Sequence, residues 1–504
     1  MKEGALYEIP NGWVWTKVGE ICDLINGHAF KPNEWSSQGL PIIRIQNLNN
    51  LNKDFNFCDF EVDEKYLVNN GQLLFAWSGT PGTSFGAHIW NRGKAVLNQH
   101  IFKIEINERF INKIFFMHMI NRNIGEYIRK AHGTAGLAHI TKNKFEISII
   151  SLPPFPEQRA IVSKIEQLFS DLDNGIDNFK KAQAQLKLYR QSVLKAACEG
   201  KLVPTEAELA RAEGRDFEAA DVLLARILKE RREKWNGTGK YKEAPADISD
   251  LPELSEGWAC ARFDMVCQKI QDGSHFSPKI QYDSRGDGTY LYITAKNIKE
   301  NGLNLSEVTY VDSSFHQSIY GRCNPEKGDV LLTKDGVKTG IAVINNLEEE
   351  FSLLSSVALF KSNKNILNSY YLKHFLNSPI GFNMTTGQMT GTAIKRIILD
   401  KIRTSYIPLP PLAEQLRIVT EVERRLSVSD KMEATITESL QKAESLRQSI
   451  LKKAFEGKLL NKKELEKARN APDWEPAEKL LERIRQEKQI KEKNNKPTRR
   501  KSKE

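Results

Sequence analysis

The chain has 504 residues, of which 40% are hydrophobic and 27% charged, and its formal net charge at pH 7 is +10. This length exceeds what one hydrophobic core serves, so about three or four domains are expected. Residues 488–504 hold eight Lys or Arg and two Glu, which leaves only +4 for the remaining chain. A uniformly basic protein is therefore excluded, and any nucleic-acid surface must be a local patch.

The N-terminus and the cysteines indicate a protein of the reducing cytoplasm. MKEGALYEIPNG has no apolar signal core, and no run approaches the ~18 apolar residues that cross a membrane. The six cysteines include no CxxC pair, and Cys198 aligns with Phe455 in the repeat described below. We expect structural thiols, a cytoplasmic location and no membrane partner.

Residues 1–152 predict a first α/β domain. It opens with EIPNGWVWTKVGEIC at residues 8–22. Short apolar runs bounded by Gly, Asn and Pro predict strands within Pro41–Leu48, Asn69–Gly79 and Asn98–Ile104. A helical pattern follows over Asn107–Ala131.

Residues 153–202 predict a long helix with a coiled-coil seam. Its a and d positions, in a seven-residue repeat, are Ile165, Leu168, Leu172, Gly175, Phe179, Ala182, Leu186, Tyr189, Val193 and Ala196. The stretch from Ile161 to Glu199 would form a helix of about 60 Å, and Gly200 would end it in the left-handed conformation. Residues 203–250 predict a further helix, Phe217–Trp235, and a polar linker.

The second half of the chain repeats the first. RQSVLKAACEGKL at 190–202 returns as RQSILKKAFEGKL at 447–459, and the same offset of 257 relates LPPFPEQ (152–158) to LPPLAEQ (409–415). The opening returns as ELSEGWACARFDMVC at 253–267, an offset of 245, so 12 residues are added inside the second globular part. An unbroken register of this length indicates an internal duplication.

The second copy predicts the same order of domains. These are a second α/β domain at 251–408, a second long helix at 409–459, and a C-terminal helix with a disordered basic tail at 460–504. Strands are expected within Tyr290–Ile298, Pro325–Gly336 and Ser355–Ser362, and a helix over Asn365–Phe382. The apolar stripe of the second long helix strays from strict heptads, at Val422, Leu426, Ile436, Leu440, Ala443, Leu446 and Ile450.

Neither long helix could bury its stripe alone, so we expect the two to pair. An antiparallel pairing, with approximate two-fold symmetry, needs the shorter connection. Two separated and unlike readers on such a frame suit duplex DNA with an asymmetric bipartite site and a spacer of about 5 to 8 base pairs.

This layout resembles the specificity subunit of type I restriction-modification systems. The likeness rests on doubled motifs: Gly12-Trp13 and Gly257-Trp258, Gly133–Ala135 and Gly391–Ala393, Leu152–Gln158 and Leu409–Gln415, Glu199–Leu202 and Glu456–Leu459. The resemblance implies two target-recognition domains that read double-stranded DNA. It also implies helices that space them and bind two methylation subunits, restriction subunits that translocate and cleave, and a chain that is not an enzyme.

The sequence contains no complete set of catalytic motifs. Ser151-Leu152-Pro153-Pro154-Phe155 is superficially similar to the amino-methyltransferase signature, but Leu152 stands where a polar acceptor is needed. We interpret it as a helix entry, with Glu157 and Glu414 in the first helical turns. No GxGxxG, ATP-binding loop or metal-ligand spacing occurs. No cofactor is expected in this chain; the resemblance implies S-adenosylmethionine in the methylation partner and ATP with Mg in the restriction partner.

Base and phosphate readers should be polar residues at strand ends and loops. In Arg44-Ile45-Gln46-Asn47 we expect an alternating strand with Arg44 and Gln46 facing outward. The DNA-binding candidates of the first domain are Arg44, Gln46, Asn47, Trp77, Ser78, Thr80, Arg129, Lys130, His132 and Thr134. Those of the second are Thr294, Lys296, Asn297, Lys334, Lys338, Thr339, Thr390, Thr392, Lys395 and Arg396.

The near-identical helix ends predict two equivalent docking places for one partner. The candidates there are Arg190, Lys195, Glu199, Lys201, Arg447, Lys452, Glu456 and Lys458. Two alternatives remain, a coiled-coil adaptor that binds protein instead of DNA, and a fused enzyme. Salt-dependent duplex binding would separate the adaptor from a DNA reader, and the missing motifs disfavour the enzyme.

Overall fold

A computed structural model describes residues 7–50, 52–79, 84–125, 127, 138–234, 253–336, 339–387, 389 and 396–494. The chain divides into two compact units. The first unit comprises residues 1–179 and 438–504, and the second unit comprises residues 180–437. Each therefore holds one globular domain with parts of both long helices.

The strands, in chain order, have the following bounds. In the first unit they are β1 Val14–Lys17, β2 Cys22–Asn26, β3 Leu40–Ile43, β4 Asn56–Cys58, β5 Leu67–Val68, β6 Gln72–Ala76, β7 Ser78–Gly79, β8 Gly86–Trp90, β9 Ala95–Leu97, β10 Ile101–Ile106, β11 Ala138–His139 and β12 Ile149–Leu152. In the second they are β13 Ala259–Arg262, β14 Cys267–Asp272, β15 Thr289–Ile293, β16 Ile298–Lys299, β17 Gly302–Leu303, β18 Thr309–Asp312, β19 Val330–Thr333, β20 Ala342–Ile344, β21 Phe351–Leu353, β22 Val357–Ser362 and β23 Tyr406–Leu409.

The helices are dominated by two of equal length. In chain order they are α1 Val18–Ile21, α2 Ile45–Asn49, α3 Lys113–Arg122, α4 Lys142–Glu146, α5 Phe155–Cys198, α6 Glu206–Glu213, α7 Ala220–Glu233, α8 Phe263–Val266, α9 Ser313–Tyr320, α10 Ser369–Asn377, α11 Pro379–Thr386, α12 Leu399–Thr404, α13 Leu412–Phe455, α14 Lys462–Arg469 and α15 Ala477–Asn494. Short 3-10 turns lie at Pro32–Glu34, Glu64–Tyr66 and Ala295–Asn297. The two long helices, α5 and α13, have 44 residues each.

Both units use the same central sheet. In the first unit the strand order is β2-β10-β6-β8, and in the second it is β14-β22-β19-β20, with every neighbouring pair antiparallel. The strands β6 and β19 are apolar runs because their side chains are buried on both faces. A second sheet accompanies each, β4-β3-β9-β5 in the first unit and β18-β15-β21 in the second. The predicted mixed α/β repeat is thus present in each unit.

Within each unit the two long helices run antiparallel. In the first unit, Arg159 near the start of α5 contacts Asp473, just beyond α14. Further along α5, Asp173 contacts Arg447 in α13, so residue numbers increase along α5 as those of its partners decrease. In the second unit, Arg190 of α5 pairs with Asp430 of α13 at 2.6 Å, and Leu194 shares a core with Ile418. The expected antiparallel pairing is therefore present within each unit.

The heptad prediction is wrong at one repeated position. Tyr189 and Leu446, which the 257 offset relates, were assigned to the buried seam but are 44% and 51% exposed. Neighbouring Val193 and Ile450 are buried as expected. A straight helix drifts out of a seven-residue period, so the buried side moves away from these places.

The predicted strand around Arg44 is also wrong. The strand β3 ends at Ile43 and a helical turn follows, because the Asn47 side chain accepts a hydrogen bond from the Arg44 N–H at 3.1 Å. The same change occurs in the second unit, where the Asn297 side chain accepts from the Thr294 N–H at 3.0 Å. A side chain that bonds its own backbone three residues away competes with the strand.

Two helix predictions and the prediction of a disordered tail need correction. The helix expected over 365–382 is two helices, because Pro379 cannot continue α10 and instead begins α11, which Ser378 caps. The helix expected over 107–131 begins at Lys113, after the Asn112 cap, and ends at Arg122. Residues 126 and 128–131 lie outside the described part. The basic tail expected to be disordered from Lys488 is helical to Asn494.

Candidate nucleic-acid interface and the motif clusters that support it

In the first unit the repeated motifs meet at one buried carboxylate. Glu157, in the first turn of α5, accepts hydrogen bonds from the indole N–H of Trp13 at 2.8 Å and of Trp474 at 3.2 Å. Arg469 forms an ion pair with it at 3.2 Å, and the side chain is 1% exposed. A buried charge needs such partners, so Glu157 ties the opening of the domain to the helices of the C-terminal segment. The sequence interpretation as a helix-dipole residue missed this bond.

The second unit repeats this arrangement with two substitutions, because the 257 offset places Phe217 opposite Trp474 and Ala212 opposite Arg469. Glu414 accepts from the Trp258 indole at 2.9 Å and from the backbone N–H of Glu206 at 2.8 Å. The second indole is missing because Phe217 occupies the place equivalent to Trp474, and the Glu206 N–H takes its role. Burial raises the pKa of the Glu414 carboxyl, while the hydrogen bonds from Glu206 and Trp258 act in the opposite direction.

The neighbouring glutamine fixes each globular domain to its long helix. The side-chain oxygen of Gln158 accepts from the Asn112 N–H at 2.8 Å, and its amide donates to the carbonyls of Phe110 and Pro153. Gln415 accepts from the Asn368 N–H at 2.8 Å and donates to Ile366 and Pro410 in the same way. In each Glu-Gln pair the glutamate therefore binds the tryptophan of the domain opening, and the glutamine makes three hydrogen bonds to backbone groups near the helix entry.

The glycines that end the long helices lie against the tryptophans. Gly457 has φ +69°, and a Cβ there would meet Pro10 at 2.2 Å and Trp13 at 3.5 Å. Gly200 has the same φ, and its Cβ would meet Ser255 at 2.1 Å and Trp258 at 3.3 Å. The predicted left-handed ends are confirmed, and close packing adds a second reason for glycine. The three motif types Gly-Trp, Leu-Pro-Pro-x-x-Glu-Gln and Glu-Gly-Lys-Leu thus form one cluster in each unit.

A cation on the last helix of each repeat caps a short helix of the domain. Lys488 donates to the carbonyls of Gly19 and Cys22, both at 2.7 Å. Its equivalent Arg231 donates to Asp264 at 2.7 Å and Cys267 at 3.3 Å. Both satisfy carbonyls at a helix C-terminus, where positive charge is favourable. Sequence reasoning missed these residues, although the 257 offset already related them.

The two units differ at the end of the central sheet, directly after β6 and β19. In the first unit the Trp77 indole N–H donates to Asn26 at 3.3 Å, and the ring has edge contacts with His100 and His139 at 5.2 and 4.6 Å between centroids. Both imidazoles are exposed. Burial lowers the pKa of His100, and the nearby His139 lowers it further. The described side chains around Trp77 at this end are therefore mainly aromatic.

The second unit has an ionic group at the same place. Lys334 aligns with Trp77, because the backbone N–H of each donates to the carbonyl of the residue just before β10 or β22. Asp272 occupies the register position of Asn26. The Lys334 ammonium contacts the Asp272 carboxylate, which Arg322 also approaches at 3.6 Å. An aromatic–amide pair in one unit is therefore replaced by an ion pair in the other.

The other described candidates fall into two groups. Arg44 is half-buried with its guanidinium 5.0 Å from the Trp35 ring, while Lys296 and Arg396 are exposed. Gln46 and Thr294, at the turns after β3 and β15, and Ser78, in β7, are half-buried. Four candidates are buried and bonded to the protein, which argues against their direct contact with bases: Asn47, Asn297, Lys334 and Thr339.

The remaining DNA-binding candidates lie outside the described residues. They are Thr80, Arg129, Lys130, His132, Thr134, Lys338, Thr390, Thr392 and Lys395. Among the described residues that flank them, β11 pairs with β7 and Arg396 bridges Asp335.

The docking candidates form ion pairs along each helix end. Arg190 pairs with Asp430 and with Glu433 at 2.7 Å, and its equivalent Arg447 pairs with Asp173, which aligns with Asp430. The other pairs repeat as well and join Lys195 and Lys201 to Glu199, and Lys452 and Lys458 to Glu456. The repeat thus preserves the charge pattern of both helix ends.

The described residues contain neither a candidate metal site nor a candidate membrane-spanning helix. No group of three or more His, Cys, Asp or Glu there could hold a metal ion. None of the helices in that part is long and apolar enough to cross a membrane. All six cysteines are free, and burial raises the pKa of Cys198 to about 12, as expected for a structural thiol.

One frame that occurs twice and ends in two unlike surfaces defines a protein with two recognition domains. The chain belongs to the family of the type I restriction modification DNA specificity domain, whose model matches residues 10–180 and 255–442. This confirms the resemblance stated from the doubled motifs.

Curated relatives match over almost the whole chain. The specificity subunit of the type I restriction enzyme EcoBI of Escherichia coli is 25% identical, over 96% of this chain and 94% of that protein. The EcoKI specificity subunit of Escherichia coli K12 is 24% identical, over 95% and 96%. The MjaVIII specificity subunit of Methanocaldococcus jannaschii is 21% identical, over 90% and 94%.

Solved structures share the fold. The HsdS subunit of Thermoanaerobacter tengcongensis has a TM-score of 0.54 at 20% identity, over 91% of this chain and all of that one. A chain from a study of complex assembly and conformational transition in the type I R-M system has a TM-score of 0.63 at 18% identity, over 90% and 100%. These neighbours confirm the predicted class of tandem α/β domains with long helices.

Proposed function

We propose that this chain is the DNA-reading subunit of a type I restriction-modification complex and performs no catalysis itself. The domain of each unit reads one half of an asymmetric, bipartite site in double-stranded DNA. The long helices set the spacer between the halves, and the complex methylates adenine at the site or restricts DNA that lacks the methyl group.

One observation carries this proposal: the supporting frame is the same in both units while the end of the central sheet differs. The Trp–Glu and Gln contacts recur residue for residue, whereas Trp77 with Asn26 is replaced by Lys334 with Asp272. The repeated contacts hold each domain on its long helix, so the requirements of folding explain why they recur. Unlike groups at the same loop-bearing end are what two different half-sites would require.

The repeated helix ends are proposed to dock two copies of one methylation subunit. Support comes from the equivalent charge pattern, and from Tyr189 and Leu446, large apolar side chains exposed at equivalent positions beside Arg190 and Arg447. An exposed apolar residue bordered by charged pairs is a common composition of a protein interface. The adaptor alternative shares this surface but predicts no binding of DNA.

The chemistry is assigned to the partners. S-adenosylmethionine would bind the methylation subunits, and ATP with Mg would serve the restriction subunits that translocate and cleave. This chain would supply position and sequence choice, in a cytoplasmic complex with no membrane component.

Methylation sequencing of cells with and without this gene tests the proposal. We expect loss of methyladenine from a single bipartite motif, and its return when the gene is restored. Binding of the assembled complex to a duplex with that motif should fall steeply as salt is raised, because phosphate contacts release counterions. Unchanged methylation together with salt-independent behaviour would instead support the adaptor.

A further inference from the structure

The second unit presents one aromatic ring almost completely to solvent. Phe276 is 81% exposed, the highest value among the large hydrophobic residues described. Its loop, which follows β14, also exposes Ile280 at 55% and Tyr282 at 38%. One exposed apolar residue is ordinary, but three large ones within seven residues call for a partner.

The turn that carries Phe276 is held rigidly. The Ser274 hydroxyl donates to the Phe276 carbonyl at 2.8 Å and accepts from the Phe276 N–H at 3.1 Å. The Ser274 backbone joins the sheet beside Leu354, and Gly273 packs so tightly that a Cβ would meet the Leu353 carbonyl oxygen at 1.9 Å. Little conformational freedom of the backbone would be lost when the ring binds.

Positive charge surrounds the base of this turn. Arg322 donates to the Gly273 carbonyl at 2.7 Å and approaches Asp272, which also contacts Lys334. His275 lies 3.3 Å from the same carboxylate and is largely exposed. Two permanent cations against one carboxylate leave an excess of positive charge beneath the ring, which favours a polyanion over an apolar protein surface.

The equivalent residue of the first unit is buried, so exposure is not a requirement of the fold. The pattern Gly-x-x-Phe-x-Pro occurs in both units, as Gly27 to Pro32 and Gly273 to Pro278. Phe30 is only 8% exposed and packs edge-on to His28 at 4.6 Å between ring centroids. The same sequence pattern therefore gives a core residue in one unit and a protruding ring in the other.

We propose that Phe276 contacts the bases of the half-site read by the second unit and helps to specify it. This deepens and rests on the proposed function. Arg322, whose side chain is 45% exposed, would contact a phosphate while the ring packs against bases, an apolar contact that a groove or an opened base step offers. The first half-site would lack the corresponding contact.

The test compares Phe276→Ala with the wild-type full chain, in complex with its partners, on a duplex that holds the methylated motif. Binding should weaken about tenfold, the scale of one base–aromatic contact, and a change of base pair in the second half-site should then matter less. Discrimination at the first half-site should not change. Tyr370→Ala is the matched control, because this aromatic is 43% exposed at the start of α10.

The outcomes separate the two proposals. Wild-type affinity and unchanged discrimination in Phe276→Ala would overturn the role of Phe276 and leave the proposed function standing. An equal loss at both half-sites, or an equal loss in Tyr370→Ala, would also overturn it. A wild-type complex that does not bind the duplex would contradict the proposed function and, with it, this inference.

Discussion

The buried carboxylates Glu157 and Glu414 join parts of the chain that lie far apart in sequence. Each receives an indole N–H from the opening of its domain, and each lies in the first turn of a long helix. A buried carboxylate without donors would cost several kcal/mol, so the tryptophan and the glutamate depend on one another. At this scale the doubled sequence motifs are contact partners, and they leave recognition to other residues.

Replacement of Trp258 by Phe should destabilise the protein by about 1 to 3 kcal/mol at pH 7. The phenyl ring still fills most of the space of the indole, but Glu414 loses the hydrogen bond from the indole N–H. The folded-state pKa of Glu414 is already raised by burial and should rise further. Stability from a raised carboxyl pKa is present at low pH and is lost as pH rises through it, so the deficit should shrink as pH falls toward 5. Urea unfolding at pH 7 and 5 measures this, with exposed Trp35→Phe as control; an equal deficit at both values would contradict it.

Arg44 is the described residue of the first unit best placed to read a base. Its guanidinium stacks on Trp35 and its backbone is fixed by Asn47. Arg44→Ala should cost about 1 to 3 kcal/mol at one half-site, the value of a bidentate guanine contact. Binding to duplexes with each half-site varied is the measurement. Lys296→Ala, in the equivalent turn, should affect the other half-site alone. If both variants discriminate between bases as the wild type does at each half-site, this turn is not part of the recognition surface.

The observed helices and strands agree with the sequence prediction where the hydrophobic periodicity extends over many residues. They differ from it where a single side chain determines the local backbone conformation. The long helices end where glycine predicts, and β6 and β22 fall within their predicted runs. By contrast, Asn47 converts a strand into a turn and Pro379 divides a helix. These outcomes depend on a single hydrogen bond or a missing N–H, which hydrophobic periodicity does not contain.

The glycine ends of the long helices allow a matched test of packing. Gly457→Ala should pay about 1 to 2 kcal/mol for the left-handed backbone and an additional cost for the clash with Pro10. Gly214→Ala has a similar φ of +65° and open space around it, so it should show the backbone cost only. Thermal unfolding of both variants separates the two contributions; equal shifts would show that the contact between Gly457 and Pro10 gives way without cost.

At the scale of the whole molecule, the repeat presents two equivalent helix ends, which we propose as docking places for one partner. The double variant Tyr189→Glu with Leu446→Glu should reduce the number of methylation subunits bound, because each change puts a charge on an exposed apolar position. Either single variant should lose one copy of two. Native mass spectrometry counts the copies, and Lys442→Glu, at a highly exposed position on the same helix, is the control. Full occupancy in the double variant would place the docking surface elsewhere.

The order of domains could be predicted from the sequence, but the composition of each compact unit could not. Offsets of 257 and 245 reveal the duplication, and pairing of apolar stripes predicts antiparallel helices. Nothing in the periodicity states that the end of α13, with Ile450 and Phe455, completes the core around Phe115 in the first unit. That assignment depends on three-dimensional complementarity between residues more than 300 positions apart.

Because the first unit includes the end of α13, a chain that ends at residue 250 should lack part of its core. The first unit would lose Ile450, Leu451, Ala454 and Phe455, which share a core with Ile161 and Ile165. The truncated chain still carries the equivalent residues Val193, Leu194, Ala197 and Cys198 at the end of α5, where they can no longer pack on α13. Each copy can supply what the other lacks, so the half-length chain should form a homodimer.

Light scattering after gel filtration should then give twice the mass of the half-length chain, and the dimer should select a site with two identical halves, because both of its reading domains are the same. Val193→Asp with Ala197→Asp should prevent the dimer, since a charge would enter the buried face. A folded half-length monomer would show instead that the domain keeps its core without the second helix end, and the repeat would then be a duplication of independent domains.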